Sequence, residues 1–434
     1  MSATYTDAHL ESAIDLYELR QNWLNESDIY ASAFESTEER LNASINHCSR
    51  MLTLADIEHS AEQTEQEKQP GKAPDCFVYL ASRMKSAKPQ ISNAGYELAY
   101  QWLAQDAAKA EAAEAVLSLY PVLDQPRLHK LYDEQTSLRP VLFRIFRKQM
   151  LSLPLTLVSS AATAENSSDE LRTEALRYAA AQADIGLDIF RSHYVPLLSG
   201  KTQFNAAVVE AALWGGMVRG DADASNVISA ALSHAGVAAD HAKLMRLAAL
   251  SGNADFLPLL LMAAENNPDT GYPLLVLFGQ KSMMPELLKA LEVAHTMEQA
   301  AAAFNQLSDQ ILPRVPRLTV VGDEEVDAEE VQAQIPDVKA ARAWWDKHQT
   351  AWKADERWLY GKPTNSTHLI NLSKKHAGSF GRDVMALLAL ANKAPLIIPA
   401  ETWNLRIKQL LDTQATVKPA ATKVIDKKVS ARHA

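Results

Sequence analysis

The chain has 434 residues, 47% of them hydrophobic, with few glycines (15) and prolines (19) and a formal net charge of −10. That length exceeds what one compact core usually serves, so it implies two or three domains, or an elongated array whose core grows with its length. The acidic surface repels phosphate backbones and argues against nucleic-acid binding by the folded body, and two cysteines are too few for a disulfide framework or a four-ligand zinc site.

Cys48 and Cys76 are therefore expected as free thiols in a reducing compartment. The first residues are polar and acidic and lack the basic start and apolar core of a signal peptide. The longest apolar stretches fall far short of the ~20 residues a spanning helix needs. No membrane association and a cytoplasmic location are expected.

Residues 1–75 read as an N-terminal helical cap. Leu10, Ile14, Tyr17, Leu19, Trp23 and Leu24 recur at helical spacing, and Phe34, Leu41, Ile45 and Leu52 do so after a break. The polar stretch that follows ends in Pro70, Gly71 and Pro74 and reads as a loop between helices.

Residues 76–310 alternate helical runs rich in Ala and Leu with short Gly, Pro, Asn or Asp breaks. The stretch at 219–227 aligns with 251–259 so that Gly220 falls on Gly252 and Asp223 on Asp255. The stretch from Leu250 aligns with the one from Leu277, placing Gly252 on Gly279 and Pro258 on Pro285. Each copy has the form apolar helix, Gly-centred turn, apolar helix: glycine ends the first helix in a left-handed conformation and the next packs back antiparallel. One such pair cannot bury both faces, so the pairs must stack. An all-α fold is expected, an α-solenoid of degenerate HEAT-like repeats. Tetratricopeptide repeats share the period, but their Trp, Gly, Tyr and Pro signature is missing here.

Residues 311–337 form an acidic, Pro-containing linker, within which 318–321 could make a short strand. Residues 338–412 return to helices and carry Trp344, Trp345, Trp352, Trp358 and Trp403. Trp345, Trp352 and Trp358 lie near heptad spacing and are expected to cap the end of the array, whereas the adjacent Trp344 cannot share their face. The tail at 413–434 is basic, poor in bulky apolar groups and expected to be disordered.

Motifs that carry chemistry are sparse. Asp221, Asp223 and Ser225 resemble the start of a calcium loop, but Asn226 replaces the obligatory glycine and Leu232 the closing glutamate, so a helix-capping turn explains them better. His234 and His241, with Asp240, lack a metal-site spacing, and His47 and Cys48 are helix neighbours whose side chains diverge by about 100°. No phosphate loop, dinucleotide fingerprint or nucleophile elbow occurs. The expectation is a non-catalytic protein with no metal and no cofactor.

Two end segments carry a family resemblance. Leu16-Tyr17-Glu18-Leu19-Arg20, followed by Glu39, Arg40, Leu41 and Ile45, resembles the opening of the bacterial HEAT-repeat-containing family encoded beside type VI secretion effector genes. Arg357-Trp358-Leu359-Tyr360-Gly361-Lys362-Pro363, then Leu369 to Leu372, then Gly381-Arg382 and the run at 386–390 resemble its closing segment. His47-Cys48 departs from the family's usual histidine and glycine arrangement. The resemblance implies a protein partner and no catalytic residues: an immunity protein that neutralises a toxic effector such as a basic nuclease, or an adaptor that loads an effector onto the secretion spike. The acidic run of Asp323, Glu324, Glu325, Asp327, Glu329 and Glu330 is a candidate for steering a basic partner, and Trp344 a candidate interface anchor.

Overall fold

The structure is a computed structural model that describes residues 2–27, 29–58, 71–121, 124–199, 204–234, 238–316, 334–394 and 402–416. Among these residues the chain forms 21 α-helices and two small antiparallel ribbons, so it is mostly helical.

After α1 (Ser2–Trp23) and α2 (Ala31–Glu58), one row of helices runs through the chain. It comprises α3 (Ala73–Met84), α5 (Ala107–Leu119), α7 (Arg139–Gln149), α9 (Asp169–Ala180), α11 (Ala206–Val218), α13 (Ala238–Ser251), α15 (Pro268–Phe278) and α17 (Met297–Ser308), each packed on the one before. A second set consists of α4 (Pro89–Trp102), α6 (Gln125–Glu134), α8 (Leu155–Thr163), α10 (Asp188–Leu198), α12 (Ala224–His234), α14 (Leu257–Asn266) and α16 (Met284–Ala290). Each of these packs on the first-row helix that follows it. Row position explains composition: α11 is apolar around most of its circumference because neighbours cover it on several sides. Most buried side chains form one continuous core from Ala13 to Leu411, with a small separate cluster of Leu24, Phe34 and Ala377 beside it.

The aligned glycines behave as their alignment predicts. Gly220, Gly252 and Gly279 have φ of 72°, 62° and 58° and follow α11, α13 and α15. Pro258 and Pro285 sit in the first turns of α14 and α16, where the missing N–H costs nothing.

The region after α17 has three features that the sequence did not announce. Strand pairing falls at β1 (Arg314–Pro316) and β2 (Gln334–Pro336), with Val315 opposite Ile335, whereas 318–321 lies outside the described residues. The helix α21 (Asn404–Thr416) continues four residues into the stretch expected to be disordered, and 417–434 lies outside the described residues. The Trp-rich segment is more than an end cap. Its α18 (Val338–His348) packs on α16, but α19 (Ser366–Ser373), α20 (Gly378–Asn392) and α21 lead back to the start of the chain, where α21 packs on α2.

The tryptophans expected in the core are there. Trp345, Trp352 and Trp358 are buried, with Trp345 edge-on to Trp352 at 5.3 Å and Trp352 stacked on Trp358 at 4.7 Å. Trp358 opens a hairpin, β3 (Trp358–Leu359) and β4 (Lys362–Pro363), whose turn residues Tyr360 and Gly361 both have positive φ. The turn docks on α17 through Tyr360 N–H to the Gln306 carbonyl (2.6 Å) and Gly361 N–H to the Leu307 carbonyl (2.8 Å).

Candidate functional site

The returning segment follows the edge where the aligned glycine turns lie. A Cβ on Gly279 would stand 2.8 Å from the Trp358 carbonyl, and one on Gly252 would meet the Arg357 guanidinium. Lys393 lies beside Gly220. Three sets of polar contacts fasten this segment, at its two ends and in the middle.

Near the start of the chain, Arg20 and Glu38 are both almost fully buried and pair at 2.8 Å. Both sit where the helix period puts apolar residues: Arg20 on the stripe of Ala13, Leu16, Tyr17 and Leu24, and Glu38 on that of Phe34, Leu41 and Ile45. The second Glu38 oxygen accepts the Asn404 backbone N–H at 2.6 Å, and Arg20 reaches the Thr402 carbonyl at 3.4 Å. The Arg20 guanidinium also lies 4.9 Å from the Trp403 ring and 5.5 Å from that of Phe34. Burial raises the Glu38 carboxyl above its usual value, against the pull of Arg20. Trp403 then donates its indole N–H to the Leu119 carbonyl at the end of α5.

In the middle, Arg246 on α13 donates twice to Asp383 on α20, at 2.8 and 2.5 Å. At the far end, Arg357 donates to the Leu250 carbonyl at the end of α13, and the Trp358 N–H donates to the Gly279 carbonyl at 2.8 Å. Between the middle and far contacts lies a cavity of about 500 Å³ with an apolar floor that includes Met217, Leu250, Leu387 and Leu390. Its polar wall includes Arg357, Lys393, Ser251 and Thr364 together with the acids Asp221, Asp355 and Glu356. Burial lowers the Arg357 pKa to about 10.

The candidates from the sequence fare unequally. Asp323, Glu324, Glu325, Asp327, Glu329 and Glu330 lie outside the described residues. Trp344 is half-buried, edge-on to Phe304 at 5.4 Å and stacked on His348 at 4.4 Å, so much of its ring is already occupied. Asp221 and Asp223 are held by Arg191 at 2.6 and 2.5 Å, and an Asp221 oxygen accepts the Asp223 N–H within the turn. Cys48 and Cys76 are free and buried, and burial pushes both thiols up. His47 lies against the ring of His9 at 3.9 Å; the side chains of His234 and Asp240 lie outside the described residues. Among the described residues no group of three or more His, Cys, Asp or Glu side chains could hold a metal ion, and no helix is long and apolar enough to cross a membrane.

The sequence reading named Arg20 and Arg357 only as parts of the end segments, with no role of their own, and missed Glu38, Asn404 and Asp383. For Arg20 and Glu38 a signal existed, a charge at a core position of an amphipathic stripe, and buried charges require partners. Neither a family model, nor a curated protein, nor a solved structure matches this chain.

Proposed function

We propose that this protein is an α-solenoid of degenerate HEAT-like repeats that works by holding another protein, as an immunity protein against a toxic type VI secretion effector. The observation that carries the reading is the repeated packing: every first-row helix from α3 to α17 rests on its predecessor, and each second-row helix rests on the next first-row one. Such arrays offer long surfaces whose side chains vary without disturbing the turns, which suits recognition of a large partner. The net charge of −10 supports a basic effector such as a nuclease, because complementary fields speed capture and cover a surface meant for phosphates. The choice of partner rests on the end segments that resemble the effector-linked family.

Co-expression with the effector encoded beside the gene is the test. Survival with the protein and death without it is the expected outcome. Equal killing in both strains refutes the immunity role, and if secretion of the effector also fails on deletion, the adaptor role takes its place.

A further inference from the structure

Arg357 is the unusual group of the cavity. Among the described residues its guanidinium has one acceptor, the Leu250 carbonyl, and no carboxylate pairs with it. Arg219 is an instructive contrast, since burial lowers its pKa to about 10 as well. Arg219, however, donates to the carbonyls of Ile185, Gly215, Ala179 and Gln182 at 2.6 to 3.1 Å, so four of its five donors are occupied by backbone carbonyls. Arg357 has the same desolvation without the same set of acceptors, and it borders empty space. A guanidinium presents five donors in a fixed fork that matches an oxyanion.

Three acids, Asp221, Asp355 and Glu356, line the cavity as well, but none of them pairs with Arg357. Asp221 is bound by Arg191 and by the Tyr194 hydroxyl, Glu356 pairs with Lys353 at 2.7 Å, and Asp355 is exposed. Lys393, held at φ 47° after α20, adds a second cation to the wall. The floor is aliphatic, and about 500 Å³ is within the range of small-molecule sites.

We propose that this cavity binds a small organic oxyanion, a carboxylate or phosphate monoester on a short aliphatic body, with Arg357 and Lys393 taking the charged head and Leu250, Leu387 and Leu390 the tail. The site is independent of which protein the array holds.

Isothermal titration of the full chain with hexanoate and with hexyl phosphate tests it, with hexanol as the neutral control. At least one of the two anions is expected to bind one-to-one, and which one binds separates carboxylate from phosphate recognition. Hexanol is expected to bind at least about tenfold more weakly, the scale of a lost charge-assisted hydrogen bond. Arg357→Gln is expected to weaken the anion about tenfold or more. Because Arg357 also caps α13, a second variant is needed: Ala391→Trp, at an exposed position on the lining, blocks the space without disturbing the core. Unchanged binding in Ala391→Trp, equal affinity for hexanol, or no saturable binding of either anion overturns the proposal.

Discussion

Glu38→Ala probes how the two ends of the chain are joined. The substitution removes the carboxylate that accepts from Arg20 at 2.8 Å and from the Asn404 N–H at 2.6 Å. The side chains of the ion pair are 1% and 4% exposed, so water does not replace the lost partner and Arg20 is left as a buried charge. Breaking such a pair from one side costs about 3–5 kcal/mol, and the orphaned Asn404 amide falls within the same loss. Urea unfolding followed by circular dichroism measures the change, and limited proteolysis reports whether α21 leaves α2 first. Replacing both partners, Arg20→Met with Glu38→Leu, is expected to recover most of the loss, because apolar pairs of similar volume tolerate such sites. A loss below about 1 kcal/mol for Glu38→Ala, the range of an exposed pair, refutes the buried clamp.

Asp383→Asn, by contrast, removes a partner of Arg246 from a pair that is 38% and 20% exposed, and the same unfolding assay is expected to show a loss of no more than about 1 kcal/mol. Gly279→Ala forces a side chain into φ 58° and within 2.8 Å of the Trp358 carbonyl, which predicts a loss of about 1–3 kcal/mol in urea unfolding. Trp352→Ala leaves a cavity between Trp345 and Trp358 and predicts a loss of about 3–5 kcal/mol, with near-ultraviolet circular dichroism reporting the broken stack. For Glu114, burial pushes the carboxyl up but Lys148 and Arg144 outweigh it, and its pKa is lowered from 4.5. Its contribution is therefore present above pH 4.5 and lost as pH falls through the depressed folded value. Glu114→Gln is expected to be less stable than the parent at pH 7 and to match it in strong acid, as read from urea midpoints across that range.

What the sequence revealed was mostly local. A turn glycine followed by a helix-starting proline is a short-range signal, and Gly252, Gly279, Pro258 and Pro285 all took the conformations their alignment implied. The tryptophan spacing likewise placed Trp345, Trp352 and Trp358 together. The returning segment was not legible because its contacts join residues far apart in the chain: Trp403 with Leu119, Asn404 with Glu38, Asp383 with Arg246. Helical periodicity says which face of α20 is apolar and nothing about which helix covers it. The role of Arg357 was hidden for a similar reason, since it comes from the Leu250 carbonyl and from lining residues such as Met217 and Leu387 that are far from it in sequence. The acidic run at 323–330, the most conspicuous charge pattern in the chain, belongs to the stretch outside the described residues.

Affinity capture from the native strain at low salt tests the proposed partner binding. The protein is expected to come out in a stoichiometric complex with one basic protein encoded nearby, and the complex to weaken as salt screens the attraction. Recovery of the protein alone, under conditions where the neighbouring effector is expressed, contradicts it.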